Sequence, residues 1–142
     1  SSIHIIFMKN VAIATIIGFI ASFVFGIAAF TLFYEQASAD AAAAFPGCYH
    51  AEPNLVIGFG AAFIQSLLYA ICANKMGFHD LKSGAINGAW FGGMVWLIVN
   101  INNLAIFSAY ETSMFYKDTL ISLLWSGFAG GAIGWALGKF KD

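Results

Sequence analysis

The stretch "GAINGAWFGGMVWLIVNINNLAIF", Gly84 to Phe107, decides how this chain reads. It contains no charged residue, places glycine at 84, 88 and 92, and holds three asparagines near its end. A bilayer hydrocarbon core of about 30 Å takes roughly 20 apolar residues as a helix, because helical hydrogen bonds satisfy the backbone internally. The stretch therefore reads as a membrane span. The same test picks out three more, giving spans over about 11–33, 55–73, 84–107 and 120–137. The expected fold is an all-α membrane protein, four transmembrane helices in one compact bundle, with residues 1–142 forming a single domain.

Composition agrees with the spans. Of the 142 residues, 61% are hydrophobic and 9% charged, where a soluble domain carries about 25% charged residues. Mean hydropathy is +0.82. All six basic residues are lysines, and net charge is −1. A chain without arginine has no guanidinium fork for phosphate, and one without a basic surface has no groove for nucleic acid, so nucleic acid is excluded as a partner.

Lysines set the expected topology. Lys9 precedes the first span, Lys75 and Lys82 flank the connection between the second and third, and Lys139 and Lys141 end the chain. The connection "YEQASADAAAAFPGCYHAEPN" (34–54) carries Glu35, Asp40 and Glu52 without a lysine, and Lys117 beside Asp118 is the exception on that side. The positive-inside rule then puts both termini in the cytoplasm of a bacterial inner membrane. The first apolar run is longer than a signal-peptide core, so "ASA" at 37–39 does not mark a cleavage site.

Small residues four apart share a helix face and let another backbone approach closely, which matters in lipid, where burial of apolar surface drives little association. Every span has such a row. Ala14, Gly18, Ser22 and Gly26 form the first, Gly58, Ala62, Ser66 and Ala70 the second. Gly84, Gly88 and Gly92 form the third, and Ser126, Gly130, Gly134 and Gly138 the fourth. Phe19, Phe23 and Phe30 flank the first row and are expected to face lipid or fill gaps. Tyr34, Tyr110 and Tyr116 sit where one interfacial aromatic belt should lie, Trp135 and Phe140 where the other should.

No ionisable residue falls in the central part of a span, which argues against a proton pump or a voltage sensor. Neutral polar groups remain: Gln65 and Ser66, Asn100 and Asn103, and Ser122 and Ser126, with Asn87 nearer a span end. Asn100 and Asn103 share a face, whereas Asn102 points elsewhere. Hydrogen bonds from these asparagines to Gln65 or Ser122 would hold helices together at about 0.6–2 kcal/mol each. The alternative reading makes Gln65, Asn100 and Asn103 the wall of a pocket for a small neutral ligand or a lipid headgroup. Asn87 is expected to cap its helix or bond to the adjacent connection.

Cys48 and Cys72 lie near opposite faces of the bilayer and cannot pair within one chain. "CYHAE" (48–52) places Cys48, His50 and Glu52 at alternate positions, a weak candidate for a metal site. His4 and His79 flank spans and read as interfacial polar residues. No phosphate-binding loop, dinucleotide fingerprint, zinc-protease motif or nucleophile elbow occurs. No cofactor is expected, and bound lipid is the ligand such a chain would carry.

With "SGAINGAWFGGMVWL" opening the third span, "NINNLAIF" closing it and "DTLISLLWSGFAGGAIG" in the fourth, the chain resembles a small bacterial four-helix membrane family, domain of unknown function 1761. The resemblance implies the four-helix layout and carries no activity with it. The expected function is that of a non-enzymatic membrane protein, either an accessory subunit of a larger membrane complex or a self-associating bundle. The alternative is an oligomeric small transporter or channel for a small neutral solute or lipid.

Overall fold

The computed structural model describes residues 8–50, 52–107 and 112–141; His4 and Tyr110 lie outside them. Among the described residues there is no strand, and four helices are long and apolar enough to cross a membrane. Helix α1 (Lys9–Ala29) runs through a π-helical turn (Phe30–Tyr34) into α2 (Glu35–Ala44). Helices α3 (Leu55–Met76), α4 (Leu81–Ile106) and α5 (Thr112–Lys139) follow.

Two of the expected boundaries are corrected. The first rod continues past residue 33 to Ala44, 36 residues in all, which at 1.5 Å per residue is about 54 Å, well beyond a hydrocarbon core. The reason is local: "EQASADAAAA" is rich in alanine, the best helix former, and Gln36 donates to Asp40 Oδ1 at 2.8 Å one turn on. Loss of hydropathy was expected to end the helix, but helicity needs no apolar side chain. Pro46 ends it by disfavouring the α conformation at Phe45, which sits at φ −127°, ψ 72°. The last rod likewise begins at Thr112, eight residues before its apolar run, so Lys117 and Asp118 stand on a helix and not in a loop.

Helix α3 starts at Asn54, whose side chain accepts from Ile57 N–H at 3.2 Å, and stops at Gly77 in the left-handed conformation (φ 81°), with Phe78 N–H bonded to Ala73 O. Three residues later Asp80 caps α4, accepting from Ser83 N–H at 2.8 Å.

Helix α5 is the hub. Half of its apolar window is buried, against 11% for α3 and for α4. Helices α4, α1 and α3 all pack against it, and Tyr69 of α3 donates to Gly84 O of α4 at 2.7 Å. The α4–α5 seam is a backbone-to-backbone contact built by the expected rows. A methyl added to Gly88 would lie 2.7 Å from Ser126 O and 2.9 Å from Gly130 Cα, and one on Gly84 would lie 2.8 Å from Gly134 Cα. Gly92 faces the Ser126 side chain, and Gly138 faces the His79 backbone. A methyl added to Gly18 of α1 would stand 2.5 Å from Ile133, and one on Gly26 would stand 2.9 Å from the Trp125 ring. Val11, Ala14, Ala70, Ala73, Ile133, Ala136 and Leu137 close the core toward the His79 end.

The second row holds only in part. Ser66 and Ala70 are buried and Ala62 is half-buried, but Gly58 is exposed and meets nothing within 4 Å. Toward that end, α1 and α3 meet through rings: Phe19 contacts Phe59 and Phe63 edge-on, and Phe23 contacts Phe59. Bulky rings hold the helices too far apart for a glycine row to touch. Phe19 and Phe23 thus fill the gap between helices, while Phe30 is half exposed.

Candidate functional site

The polar residues collect at the two ends of the bundle. At the end carrying Tyr34, the π-helical turn brings the first rod against the second turn of α5. Tyr34 Oη donates to Asp118 Oδ1 at 2.5 Å, and Asn100 Nδ2 of α4 donates to Asp118 Oδ2 at 2.8 Å and to Thr119 Oγ1 at 3.1 Å. One carboxylate therefore ties three helices, each oxygen holding a donor. Asn100 is 2% exposed, so its amide has given up water for these bonds, as a buried polar group must.

Lys117, next to Asp118, donates from Nζ to Phe33 O at 3.0 Å and lies 5.6 Å from the Phe33 ring. A π-helical turn spaces its hydrogen bonds five residues apart, and the return to four leaves a carbonyl short of an intrahelical donor. The lysine adds a donor at Phe33, inside that turn.

At the opposite end, Asn10 Nδ2 donates to Asn74 Oδ1 at 3.1 Å, and His79 Nε2 lies 3.1 Å from the same oxygen. Asn10 is buried, and its Oδ1 accepts from Val11 N–H. This group joins α1, the end of α3 and the connection to α4. Sequence reasoning missed Asn10 and Asn74, which precede and close apolar runs; the signal was an asparagine at each of two span ends on the lysine-rich side. His79 is part of this network, not a solitary interfacial residue.

Among the described residues, neither the expected bonds from Asn100 and Asn103 to Gln65 or Ser122 nor the alternative pocket of Gln65, Asn100 and Asn103 forms. Gln65 lies on the exposed face of α3, reaches neither Asn100 nor Ser122, and its side chain has no hydrogen-bond partner among the described residues. Asn100 is bound instead by Asp118 and Thr119, with Asn103 half-buried beside it. Ser66 and Ser122 are buried, in the α1 and α5 packing. Asn102 donates back to Ile98 O at 2.9 Å. Asn87 bonds within α4, donating to Ser83 O and accepting from Trp90 Nε1, each at 2.8 Å, instead of capping or reaching the connection. Tyr34, expected in the aromatic belt, is a half-buried donor to Asp118, whereas Tyr116 is exposed. At the far end Trp135 meets Phe140 edge-on and Lys139 over its face at 5.2 Å.

Cys48, His50 and Glu52 are all exposed, and among the described residues no three His, Cys, Asp or Glu side chains converge on a point that could hold a metal. Both cysteines are free.

Between the first rod and α5 runs a groove of about 360 Å³ lined by Phe25, Ala28, Leu32, Leu120 and Leu124, with Lys117 at its upper edge. A second recess of about 570 Å³ continues from Leu32, Phe33 and Lys117 to Glu35, Gln36 and Asp40. No family model, curated protein or solved structure matches the chain.

Proposed function

We propose that the chain is a multi-pass protein of a bacterial inner membrane, both termini cytoplasmic, that works without catalysis as a self-associating helical bundle. Its surface supports the membrane setting: Ile16, Ile20, Val24 and Ile27 of α1, and Val56, Ile57, Ile64 and Leu68 of α3, are all more than half exposed. Lipid solvates such a surface and water does not.

The observation that carries self-association is Gln65. It stands in the middle of α3, outward-facing, with exposed Gly58 and Ala61 within about 60° of it around the helix. An amide in hydrocarbon without a partner is costly. Glutamine carries both donors and an acceptor, so two copies meeting about a two-fold axis satisfy each other, and the bare glycine lets their backbones close in. The bundle centre, by contrast, is filled by α5 from Gly130 to Leu137, so the oligomeric transporter or channel reading would need its pathway between copies.

The test is single-molecule photobleaching of labelled protein in liposomes across a dilution series. Wild type should dimerise. Gln65→Leu should weaken the dimer about 3–30-fold, the equivalent of 0.6–2 kcal/mol. A wild type that stays monomeric at high protein-to-lipid ratio overturns the reading.

A further inference from the structure

The two adjoining recesses along the first rod carry chemistry in a fixed order. Apolar residues come first, at Phe25, Ala28 and Leu32 facing Leu120 and Leu124; the Lys117 ammonium comes next, level with Phe33; Glu35 and Asp40 come last. At 1.5 Å per residue, the carboxylates lie about 3 and 10 Å beyond Phe33 along the helix axis. Lys117 uses one of its three N–H bonds on Phe33 O, and no carboxylate among the described residues lies within ion-pairing distance of it. Glu35 is exposed, one Asp40 oxygen holds Gln36, and both acidic residues line the second recess.

We propose that this groove binds one phospholipid whose headgroup bears a primary ammonium, a phosphatidylethanolamine, from the leaflet at the Tyr34 end. The order acyl chain, phosphate, ammonium along such a lipid is the order apolar wall, lysine, carboxylates along the groove. The phosphate takes the free N–H bonds of Lys117 in a charge-assisted contact. The ammonium donates to Glu35 and Asp40, which a choline headgroup, lacking N–H, cannot do. An anionic phosphatidylglycerol would set its hydroxylated end against two carboxylates with no cation to offer them. The site is independent of the α3 face through which copies associate, so either idea can fail alone.

Native mass spectrometry of the whole chain in mild detergent, titrated with phosphatidylethanolamine, phosphatidylcholine and phosphatidylglycerol of matched acyl chains, tests it. Wild type should retain one phosphatidylethanolamine about tenfold more tightly than phosphatidylcholine, one charge-assisted bond's worth at a solvent-touched site. Lys117→Gln should weaken every phospholipid, with Lys117→Arg restoring them. Glu35→Gln with Asp40→Asn should erase the preference for ethanolamine over choline while leaving phosphatidylcholine binding unchanged. Ala28→Trp should block the groove and remove all three lipids. Far-UV circular dichroism checks that each variant keeps its helices. Equal retention of the two zwitterionic lipids by wild type, tighter retention of phosphatidylglycerol, or full retention by Lys117→Gln overturns the proposal.

Discussion

Asp118 is held by two donors from two other helices, and each is a separate test of what that carboxylate does. Tyr34→Phe removes one donor and no carbon, leaving a half-buried carboxylate oxygen unpaired. It should cost about 1–2 kcal/mol, read by unfolding the micelle-held protein with sodium dodecyl sulfate under circular dichroism. Combined with Asp118→Asn the two losses should fall short of their sum, because both break the same contact. Additive losses would mean the Tyr34 bond contributes nothing. Asp80 offers a pH test at the other end. The Ser83 N–H and hydroxyl bonded to its carboxylate hold it below the ordinary 3.8. A carboxyl whose folded value is depressed contributes its stabilisation fully above the ordinary value and loses it as pH falls through the folded one. The amide of Ser83 should therefore exchange with solvent faster, relative to its intrinsic rate, as pH drops below about 4, and Asp80→Asn should flatten that change. Little of this was legible beforehand. Asn100 stood out as a polar residue in an apolar run, but its true partner sat in a stretch whose charges read as a loop.

Between elements, the α4–α5 seam predicts opposite outcomes for two glycines. At Gly88 any side chain meets the Ser126 carbonyl and the Gly130 backbone, neither of which can move aside without parting the helices. Gly88→Leu should destabilise by about 3 kcal/mol or more, measured by the same unfolding assay. Gly58→Ala meets nothing within 4 Å and should be neutral, or stabilise α3 by up to about 1 kcal/mol through helix propensity. The register has its own check. A methyl on Gly131 would stand 3.2 Å from Ala85 Cβ, a few tenths of an ångström short of the usual 3.5–4.5 Å of bridged cysteines. Ala85→Cys with Gly131→Cys should cross-link under mild oxidation, seen as a loss of two free thiols. Rows of small residues announced these faces, yet they could not say which row meets which. The rows of α1, α4 and α5 are packed, and the Gly58 end of the α3 row stands open because Phe19, Phe23, Phe59 and Phe63 prop α1 and α3 apart.

Across the whole molecule, the lysine-poor end holds Cys48, exposed, and the lysine-rich end holds Cys72, half-buried near the close of α3. In intact cells a membrane-impermeant maleimide should label Cys48 and leave a Cys48→Ser variant unlabelled; labelling of Cys48 only after permeabilisation would reverse the topology. The arrangement behind that test is a hub, with α5 in the middle and the other helices leaning on it.

The residues alone determined that four stretches form apolar helices and that each carries a row of small side chains, because helix length, hydropathy and four-residue spacing are local properties written along the chain. Only the tertiary structure decided that α5 lies at the centre, that Asp118 answers Asn100, and that Gln65 looks outward. Those facts depend on how far apart bulky rings and bare glycines let backbones stand, a distance set between helices and recorded in neither of them singly.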